Sequence, residues 1–396
     1  MRTSLLFGLS FVLFVLLTAP SAEAVPVFSR TYSVPCQTCH IAITRRNEFG
    51  DVFRKHGYHW PGGMERRATG KAQPVDLLGV SLLEGGVPGQ IPLAISASFS
   101  GSYSNDPELT DAIGFGTPSL TLLFAGSLHD HVGFFGTWSG RGAPNELHMD
   151  LVRLFDRPEL NLRLGRFEPT TTLFKSNDTL LSRLILGSGA LDGFSLSAGR
   201  IGVELGGIVF GRAYYSVGLV QESELGGSPS GYYHASVKLG GMDFLGAEPE
   251  IDLEDPSFFD DFVVKLGHWG YRGAVRDPDG TDAALIRRFG FDATLSYLDF
   301  GLIGGLMLGA DGDLALRRNN HSLTWFAEAS YSPLSWMILA YLFQYQDAES
   351  LTRETIAHDL GAMFLIFENF RLRLKGSVTQ DEKSNESAEL QAFFAF

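Results

Sequence analysis

Cysteine is scarce in this chain: Cys36 and Cys39 are the only two among 396 residues. A framework of several disulfides, which holds many small secreted domains together, is therefore excluded. A structural zinc site needs four ligands and usually a second cysteine pair, which the sequence does not contain. A thioredoxin-type dithiol would lie in a βαβ context, and none is present. The alternatives that remain are one lone disulfide or a site that uses two thiols three positions apart.

Charged residues and long apolar runs are also few. Only 19% of the residues are charged, and after residue 24 no stretch is long and apolar enough for a membrane helix. No nucleophile–base set, glycine-rich phosphate loop or second metal site stands out, and the ten histidines show no repeated ligand spacing. The abundant residues are instead glycine and aromatics, with 46 Gly, 31 Phe and 12 Tyr.

The two cysteines stand in the run Cys36-Gln37-Thr38-Cys39-His40, which reads C-x-x-C-H. This spacing is the attachment signature of a c-type haem. Two thiols three positions apart can add to the two vinyl groups of one haem, and the next residue then lies under the iron. The sequence therefore predicts one covalent haem c, bound by Cys36 and Cys39, with His40 as the proximal ligand of the iron.

The N-terminus has the features of an export signal. Arg2 supplies a positive charge, Leu5 to Leu17 is a short apolar run, and Ala22-Glu23-Ala24 is an A-x-A cleavage site. We expect residues 1–24 to be a signal peptide and the mature chain to start at Val25. Export fits the motif because c-type haem is attached outside the cytoplasmic membrane.

From residue 91 onward the chain alternates between apolar residues and small or polar ones. Leu372 and Leu374, for example, alternate with Arg371 and Arg373. This period of two is typical of a strand with one apolar and one polar face. A soluble β-sandwich would also alternate, but the final strand ends in Phe396, which resembles the assembly signal of bacterial outer-membrane barrels. We expect residues 91–396 to form a porin-like transmembrane antiparallel β-barrel of about 16 strands in the outer membrane.

The candidate strands are 91–104, 117–127, 131–139, 146–155, 159–166, 199–208, 212–220, 231–240, 259–270, 285–298, 300–310, 321–331, 335–346, 355–367, 369–379 and 387–396. Short turns and long loops alternate between them, as in barrels whose short turns face the periplasm. The longest loop, 167–198, is a candidate for an inward constriction. The segment 241–258 breaks the pattern: it is long yet falls on the periplasmic side, so either the count is off by one hairpin or this loop is specialised.

Residues 25–75 form the predicted cytochrome segment, a small and mainly α-helical unit, and 76–90 a linker to the barrel. Phe49, Phe53 and His56 fall at i, i+4 and i+7, on one face of a predicted helix. His56 is thus a candidate for the distal ligand of the haem iron, and His59 and Met64 are alternatives. The sixth position could also be filled from the barrel or left open.

The two parts of the chain carry opposite net charge. Residues 25–73 contain eight basic and three acidic residues, a net charge of +5, and residues 1–24 contribute zero. Because the chain total is −14, the remainder carries −19. Opposite potentials favour docking of the basic segment on the acidic barrel. The alternative is that the basic face meets an anionic membrane or a soluble partner.

Several further motifs accompany C-x-x-C-H. These are Asn47-Glu48-Phe49-Gly50, Phe53-Arg54-Lys55 and Gly57-Tyr58, and later the run from Leu162 to Pro169. With these motifs, the chain from Phe28 to Tyr58 resembles the N-terminus of the fused monohaem outer-membrane cytochrome–porins linked to extracellular iron oxidation. The later run is similar to a strand-to-loop element of phosphate-selective-type porins.

The resemblance implies an electron conduit. An extracellular donor, typically Fe²⁺, would pass one electron to the haem, and a soluble periplasmic cytochrome would accept it. The chain would then be an Fe(II)-oxidising electron-transfer protein; whether it acts as an enzyme is left open. Since the hydrocarbon core is about 30 Å thick, one haem serves this purpose only if its segment enters the barrel or closes its periplasmic mouth. The alternatives are a diffusion porin with a cytochrome gate or redox sensor, and electron export to an extracellular acceptor.

Overall fold

The structure is a computed structural model. It describes residues 27–42, 45–61, 72–77, 80–88, 92–105, 113–140, 142–175, 178, 180–181, 195–222, 229–250, 254, 257, 260–276, 283–313, 318–349, 354–367, 369–380 and 384–395. Several sequence predictions lie outside these residues, among them the signal peptide at 1–24, the candidate ligand Met64 and the terminal Phe396.

A closed antiparallel barrel dominates the described part of the chain. Its segments are β5 (Leu93–Ser104), β6 (Ile113–Phe115), β7 (Ser119–His129), β8 (Val132–Trp138), β9 (Glu146–Leu151), β10 (Asn161–Phe167), β11 (Arg200–Val209), β12 (Ala213–Gln221), β13 (Ser230–Leu239), β14 (Phe262–Arg276), β15 (Ala283–Tyr297), β16 (Phe300–Asp313), β17 (Arg318–Leu334), β18 (Met337–Ala348), β19 (Thr355–Phe367), β20 (Phe370–Gln380) and β21 (Ser384–Ala395). Because β6 and β7 pair with successive parts of β5, they form one interrupted strand, and the barrel has 16 strands.

The barrel strands place polar side chains in the lumen and apolar ones outside. In β9, His148 and Asp150 are buried in the lumen, whereas Leu147 and Met149, which alternate with them, are 52% and 41% exposed. A membrane-spanning barrel has this alternation because lipid requires an apolar outer surface, while the lumen accepts charge. Backbone groups of the described strands pair from strand to strand around the closed sheet, as a lipid environment requires.

The predicted strands correspond to the observed ones throughout, and the predicted count of about sixteen is confirmed. The main differences lie at the ends of β14 to β17. The β16–β17 ladder, for instance, continues to the pair Asp313–Arg318, beyond the apolar alternation on which the prediction rested. Hydrogen bonding between neighbours extends these strands past the region where one face must be apolar.

Residues before the barrel form a compact N-terminal segment, 27–61. It contains helix α1 (Val27–Tyr32), a 3₁₀ turn (Cys36–Thr38), the short paired strands β1 (His40–Ala42) and β2 (Arg45–Arg46), and helix α2 (Glu48–Lys55). The sequence predicted a mainly α-helical unit; the helices are short, and the paired strands β1 and β2 lie between them. Among the described residues, no helix has the length and apolar character needed to cross a membrane.

A β-hairpin lies between this segment and the barrel. Strands β3 (Ala72–Leu77) and β4 (Val80–Pro88) pair antiparallel, with register shifts on either side of Val75. The sequence predicted a linker at 76–90, and most of that range is therefore in regular structure. The apolar residues of this stretch, such as Leu82 and Leu83, do not alternate regularly with polar ones, and backbone pairing defines the hairpin instead.

The N-terminal segment packs against the inner wall at the end of the barrel where β5 begins and β21 ends. We call this the short-turn end, because tight turns such as those after β11, β15 and β19 occur there. Tyr58 of the segment stacks on Phe135 of β8, with ring centroids 5.2 Å apart. Val27 packs with Ala94 and Ala125 of the wall. The predicted periplasmic mouth thus holds the segment that carries C-x-x-C-H.

The long connection between β13 and β14 explains the exception in the loop pattern. Phe244 in this connection is fully buried, and it packs against Val52 of α2 and Tyr214 of β12. Its carbonyl oxygen lies 2.8 Å from Nε2 of His56. The strand count was therefore correct, and this loop at the short-turn end is long because it covers α2.

Candidate functional site

The C-x-x-C-H run lies in the 3₁₀ turn and the start of β1. The backbone N–H of Cys39 donates to the carbonyl of Cys36 at 3.1 Å, and neither thiol is in a disulfide. Burial and the neighbouring Cys36 thiol raise the pKa of Cys39 to about 12. Because reactive dithiols have lowered thiol pKa values, this environment does not suit a thioredoxin-type redox pair.

His40 follows directly and is held with one ring nitrogen in the protein interior. The residue is partly exposed, but its Nδ1 is buried and has no hydrogen-bond partner among the described residues. Burial and the charge of Arg46 lower the His40 pKa to about 4, against opposing effects of Asp178 and the Arg45 backbone. The ring is therefore neutral at physiological pH, and neutral imidazole is the form that binds metals.

An aromatic cluster surrounds Cys39. Its members are Phe28, Tyr32, Phe49, Phe53, Tyr58, Trp60 and Phe135. Phe28 and Phe53 meet edge to face at 5.0 Å, and Phe49 and Trp60 lie 4.7 Å apart between ring centroids. A haem is a large, flat and mostly apolar group, so aromatic surroundings, two thiols outside any disulfide and a neutral histidine together fit it.

Asn47 and Gly50 fix the motif onto α2. The Asn47 side chain caps α2 by accepting from Gly50 N–H at 2.9 Å, and its amide donates to the carbonyls of Gln37 and Thr38. At Gly50, a Cβ atom would lie only 2.1 Å from the carbonyl oxygen of Cys39. The sequence analysis named both residues as part of a motif but predicted no role for them. The available signal was an Asn residue directly before the acidic first turn of a predicted helix, which is a typical N-cap position.

The candidate distal ligands contact turns of the barrel. Nε2 of His56 lies 2.8 Å from the carbonyl oxygen of Phe244, and Val52, one turn earlier, packs on the same residue. His59 has Nδ1 3.0 Å from the His56 carbonyl and Nε2 2.7 Å from that of His129. Phe49 and Phe53 belong instead to the aromatic cluster. The three residues predicted to share one helix face therefore contact different partners, because His56 contacts Phe244 and the two phenylalanines contact the cluster. The distal ligand stays a prediction.

Four ion pairs join the N-terminal segment to the lumen. Arg45 pairs with Glu328 of β17 at 2.9 Å, Asp51 with Lys265 of β14 at 3.1 Å, and Glu48 with Lys238 of β13 at 3.6 Å; Arg46 pairs with Asp178. In two of these pairs, those of Arg45 and Arg46, the segment supplies the base, as expected for a basic segment on an acidic barrel. In the other two the segment supplies the acid, because α2 faces lumen lysines.

Asp178 belongs to the predicted inward loop, 167–198. The described residues of this loop reach deep into the lumen: Leu180 N–H donates to Glu328 at 2.9 Å, and Leu173 N–H donates to Asp292 at 2.8 Å. Phe174, Leu180 and Leu181 are all buried. The described part of the loop thus narrows the channel from one side while the N-terminal segment occupies it from the other.

No further metal site accompanies this arrangement within the described residues, since no group of three or more His, Cys, Asp or Glu side chains is placed to hold an ion. The chemistry-bearing features of the site are therefore the C-x-x-C-H run, the aromatic cluster and the ion pairs with the lumen.

Comparison with known proteins identifies the fold. No protein-family model matches the chain, and no characterised protein matches its sequence. Among solved structures, it is similar to the anion-selective porin from Comamonas acidovorans, with 12% identity, a TM-score of 0.57, and coverage of 77% of this chain and 98% of that one. The outer-membrane protein OmpT of Vibrio cholerae matches with 9% identity, a TM-score of 0.54, and coverage of 77% and 97%.

The outer-membrane channel DcaP of Acinetobacter baumannii is a further match, with 9% identity, a TM-score of 0.51, and coverage of 77% and 96%. At these identities the likeness concerns the fold alone. A closed 16-strand barrel of porin type, with an apolar outer face and a polar lumen, confirms the predicted location in the bacterial outer membrane.

Proposed function

We propose that this protein is an outer-membrane electron conduit in which one covalent haem c is held at the short-turn end of a porin-type barrel. The observation that carries the proposal is the position of Cys36-Gln37-Thr38-Cys39-His40, on a segment that three ion pairs tie to the barrel wall and a fourth ties to the inward loop. When bound, a c-type haem supplies one-electron transfer.

The residues of the chain have distinct roles in this proposal. Cys36 and Cys39 would hold the group covalently, and neutral His40 would supply a nitrogen ligand to its iron. The aromatic cluster excludes water around Cys39, while Asn47 fixes the turn that carries both thiols. The membrane core is about 30 Å thick. A haem held inside the lumen shortens the distance that an electron must cross between the haem and a redox partner on either side.

The proposed partners are an extracellular donor, Fe²⁺ in the first instance, and a soluble periplasmic cytochrome. An acidic barrel concentrates cations near its mouth, and this favours a metal-ion donor. Loop carboxylates are hard oxygen ligands that would bind Fe²⁺ weakly. The candidates on the extracellular side lie outside the described residues: Asp106, Glu108, Asp111, Asp277, Asp279 and Asp282.

The second candidate is a diffusion porin in which the N-terminal segment is a gate or redox sensor. The solved neighbours support this alternative more directly than the conduit, because one of them is an anion-selective porin and another is an outer-membrane channel. A third candidate is electron export, in which the same haem and barrel pass electrons outward to an extracellular acceptor. The segment packed in the lumen favours the conduit over free diffusion.

Purified protein tests these candidates. We expect the pyridine haemochrome spectrum of one c-type haem per chain, reduction of that haem by Fe²⁺, and its reoxidation by a soluble cytochrome c. Cys39→Ala should keep the barrel and lose one thioether bond. A haem that Fe²⁺ does not reduce, together with rapid liposome swelling by small sugars, would favour the porin; absence of haem would overturn both the conduit and the redox gate.

A further inference from the structure

Three unpaired polar atoms lie in the interior on neighbouring residues. Nδ1 of His40 is buried without a hydrogen-bond partner among the described residues, and so are Nε of Arg46 and Oδ1 of Asp178. Asp178 is only 4% exposed. An unpaired donor or acceptor in the interior destabilises the fold, so three of them in one place require a physical explanation.

The fold brings His40 and Asp178 to the same neighbour. His40 and Arg46 are directly opposite one another in the β1–β2 pairing. Arg46 donates to Oδ2 of Asp178, and the backbone N–H of Lys175 donates to the same oxygen at 2.7 Å. The Asp178 carboxylate is therefore held in place through Oδ2, while Oδ1 remains free. Its charge is felt at the His40 ring, where it opposes the lowering of the His40 pKa.

We infer that Asp178 is a positioning residue for His40. Its Oδ1 accepts a hydrogen bond from Nδ1–H of His40 when Nε2 of the same ring binds the haem iron. This inference rests on the proposed haem. Metal-ligating histidines generally donate their second ring N–H to a carboxylate or carbonyl, which fixes the ring orientation and raises the basicity of the ligand. Asp178 provides such a carboxylate from the inward loop of the barrel, so the loop acts on the N-terminal segment directly.

The backbone carbonyl of Arg45 is the competing acceptor, because it also interacts with the His40 ring. A carbonyl is neutral and a carboxylate is charged, so the two differ in their effect on the iron. An anionic partner makes the imidazole a stronger donor and stabilises the oxidised haem, which lowers the reduction potential.

The test is a redox titration of the full-length holoprotein, followed by its visible spectrum. Asp178→Asn should favour reduction about tenfold, which is a rise of about 59 mV in the potential of a one-electron couple. Asp178→Glu, which keeps the charge, should restore a potential close to that of the unsubstituted protein. The haemochrome spectrum of each variant reports whether the haem is attached.

Glu328→Gln is the matched control, since it replaces another buried lumen carboxylate that pairs with a neighbouring arginine, Arg45. Its potential should shift much less than that of Asp178→Asn. Equal rises in these two variants, equal shifts in Asp178→Asn and Asp178→Glu, or an unchanged potential in Asp178→Asn would overturn the inference. A protein that carries no haem would instead overturn the proposed function on which it rests.

Discussion

At the residue scale, Asp51 and Lys55 determine how α2 is held in the lumen. Asp51 accepts from Lys55 at 2.7 Å and from Lys265 at 3.1 Å, and the carboxylate is 4% exposed. Despite its burial, the two lysines hold the pKa of Asp51 well below its usual value. Lys55 lies 4.9 Å from the ring centroids of both Tyr214 and Phe244, so most of its surroundings are apolar.

Asp51→Asn should weaken the docking of α2 by about 3–5 kcal/mol, because it leaves a buried lysine charge without its partner. Protease cleavage of the N-terminal segment should then accelerate about 100-fold or more, since 1.4 kcal/mol corresponds to a factor of ten. Asp156→Asn is the control, because the Asp156 side chain is 91% exposed. Equal protection of both variants would show that this ion pair does not hold the segment.

Lys55→Met should be tolerated, with a change in docking of less than about 1.5 kcal/mol. Burial lowers the pKa of Lys55 to about 7, which shows that its charge is disfavoured there, and Asp51 keeps Lys265 as a partner. The same protease assay distinguishes the two variants. Cleavage of Lys55→Met as rapid as that of Asp51→Asn would contradict the unequal roles assigned to them.

Docking should also depend on pH through Asp51. A carboxyl with a lowered pKa contributes stability above its ordinary value of 3.8 and loses that contribution as the pH falls through the lowered value. Protease protection, measured with an acid protease, should therefore begin to fall near pH 3.8 and should continue to fall until the pH is below the lowered pKa. Asp51→Asn should lack this acid transition, and a transition that persists in the variant would assign it to another group.

At the scale of elements, alternation along the strands was sufficient to predict the barrel, whereas contacts between distant elements were not predictable. In β9 or β20, for example, each side chain lies on the same face of the sheet as the residues two positions before and after it, so the sequence alone assigns it to the lumen or to the outside. The Arg46–Asp178 pair, in contrast, joins residues 132 positions apart. Its existence depends on an inward loop and a plug that meet only after the barrel has closed, and no local pattern encodes that meeting.

Gly133 of β8 shows how closely α2 approaches the wall. A Cβ atom at Gly133 would lie 2.0 Å from the carbonyl oxygen of Gly57, just after α2. Gly133→Ala should therefore displace the end of the segment, at a cost of about 1–3 kcal/mol for overpacking. Unfolding of the segment in urea measures this cost, with the near-UV circular dichroism of Tyr58 and Trp60 as the signal.

Gly376→Ala in β20 is the matched control, because a Cβ there meets no atom within 4 Å. It should leave the transition unchanged. If the two alanine variants were equally stable, the close contact between β8 and the N-terminal segment would not exist in solution.

At the scale of the whole molecule, the barrel is a porin-type channel whose lumen is occupied from both ends. In planar bilayers we expect low conductance, and a several-fold increase in Asp51→Asn as the segment leaves the lumen. Asp156→Asn should conduct like the unsubstituted protein. A large and equal conductance in all three would indicate an open diffusion pore instead.

The central claim is that the segment with C-x-x-C-H is docked in the short-turn end of the lumen, and photo-cross-linking in intact outer membranes tests it most directly. A benzophenone amino acid at Phe135, which stacks on Tyr58 at 5.2 Å, should cross-link to the tryptic peptide that begins at His56. The same probe at Phe289, which is 48% exposed on the outer face, should not. Cross-links at Phe135 to that peptide are the predicted result, and their absence would contradict the account.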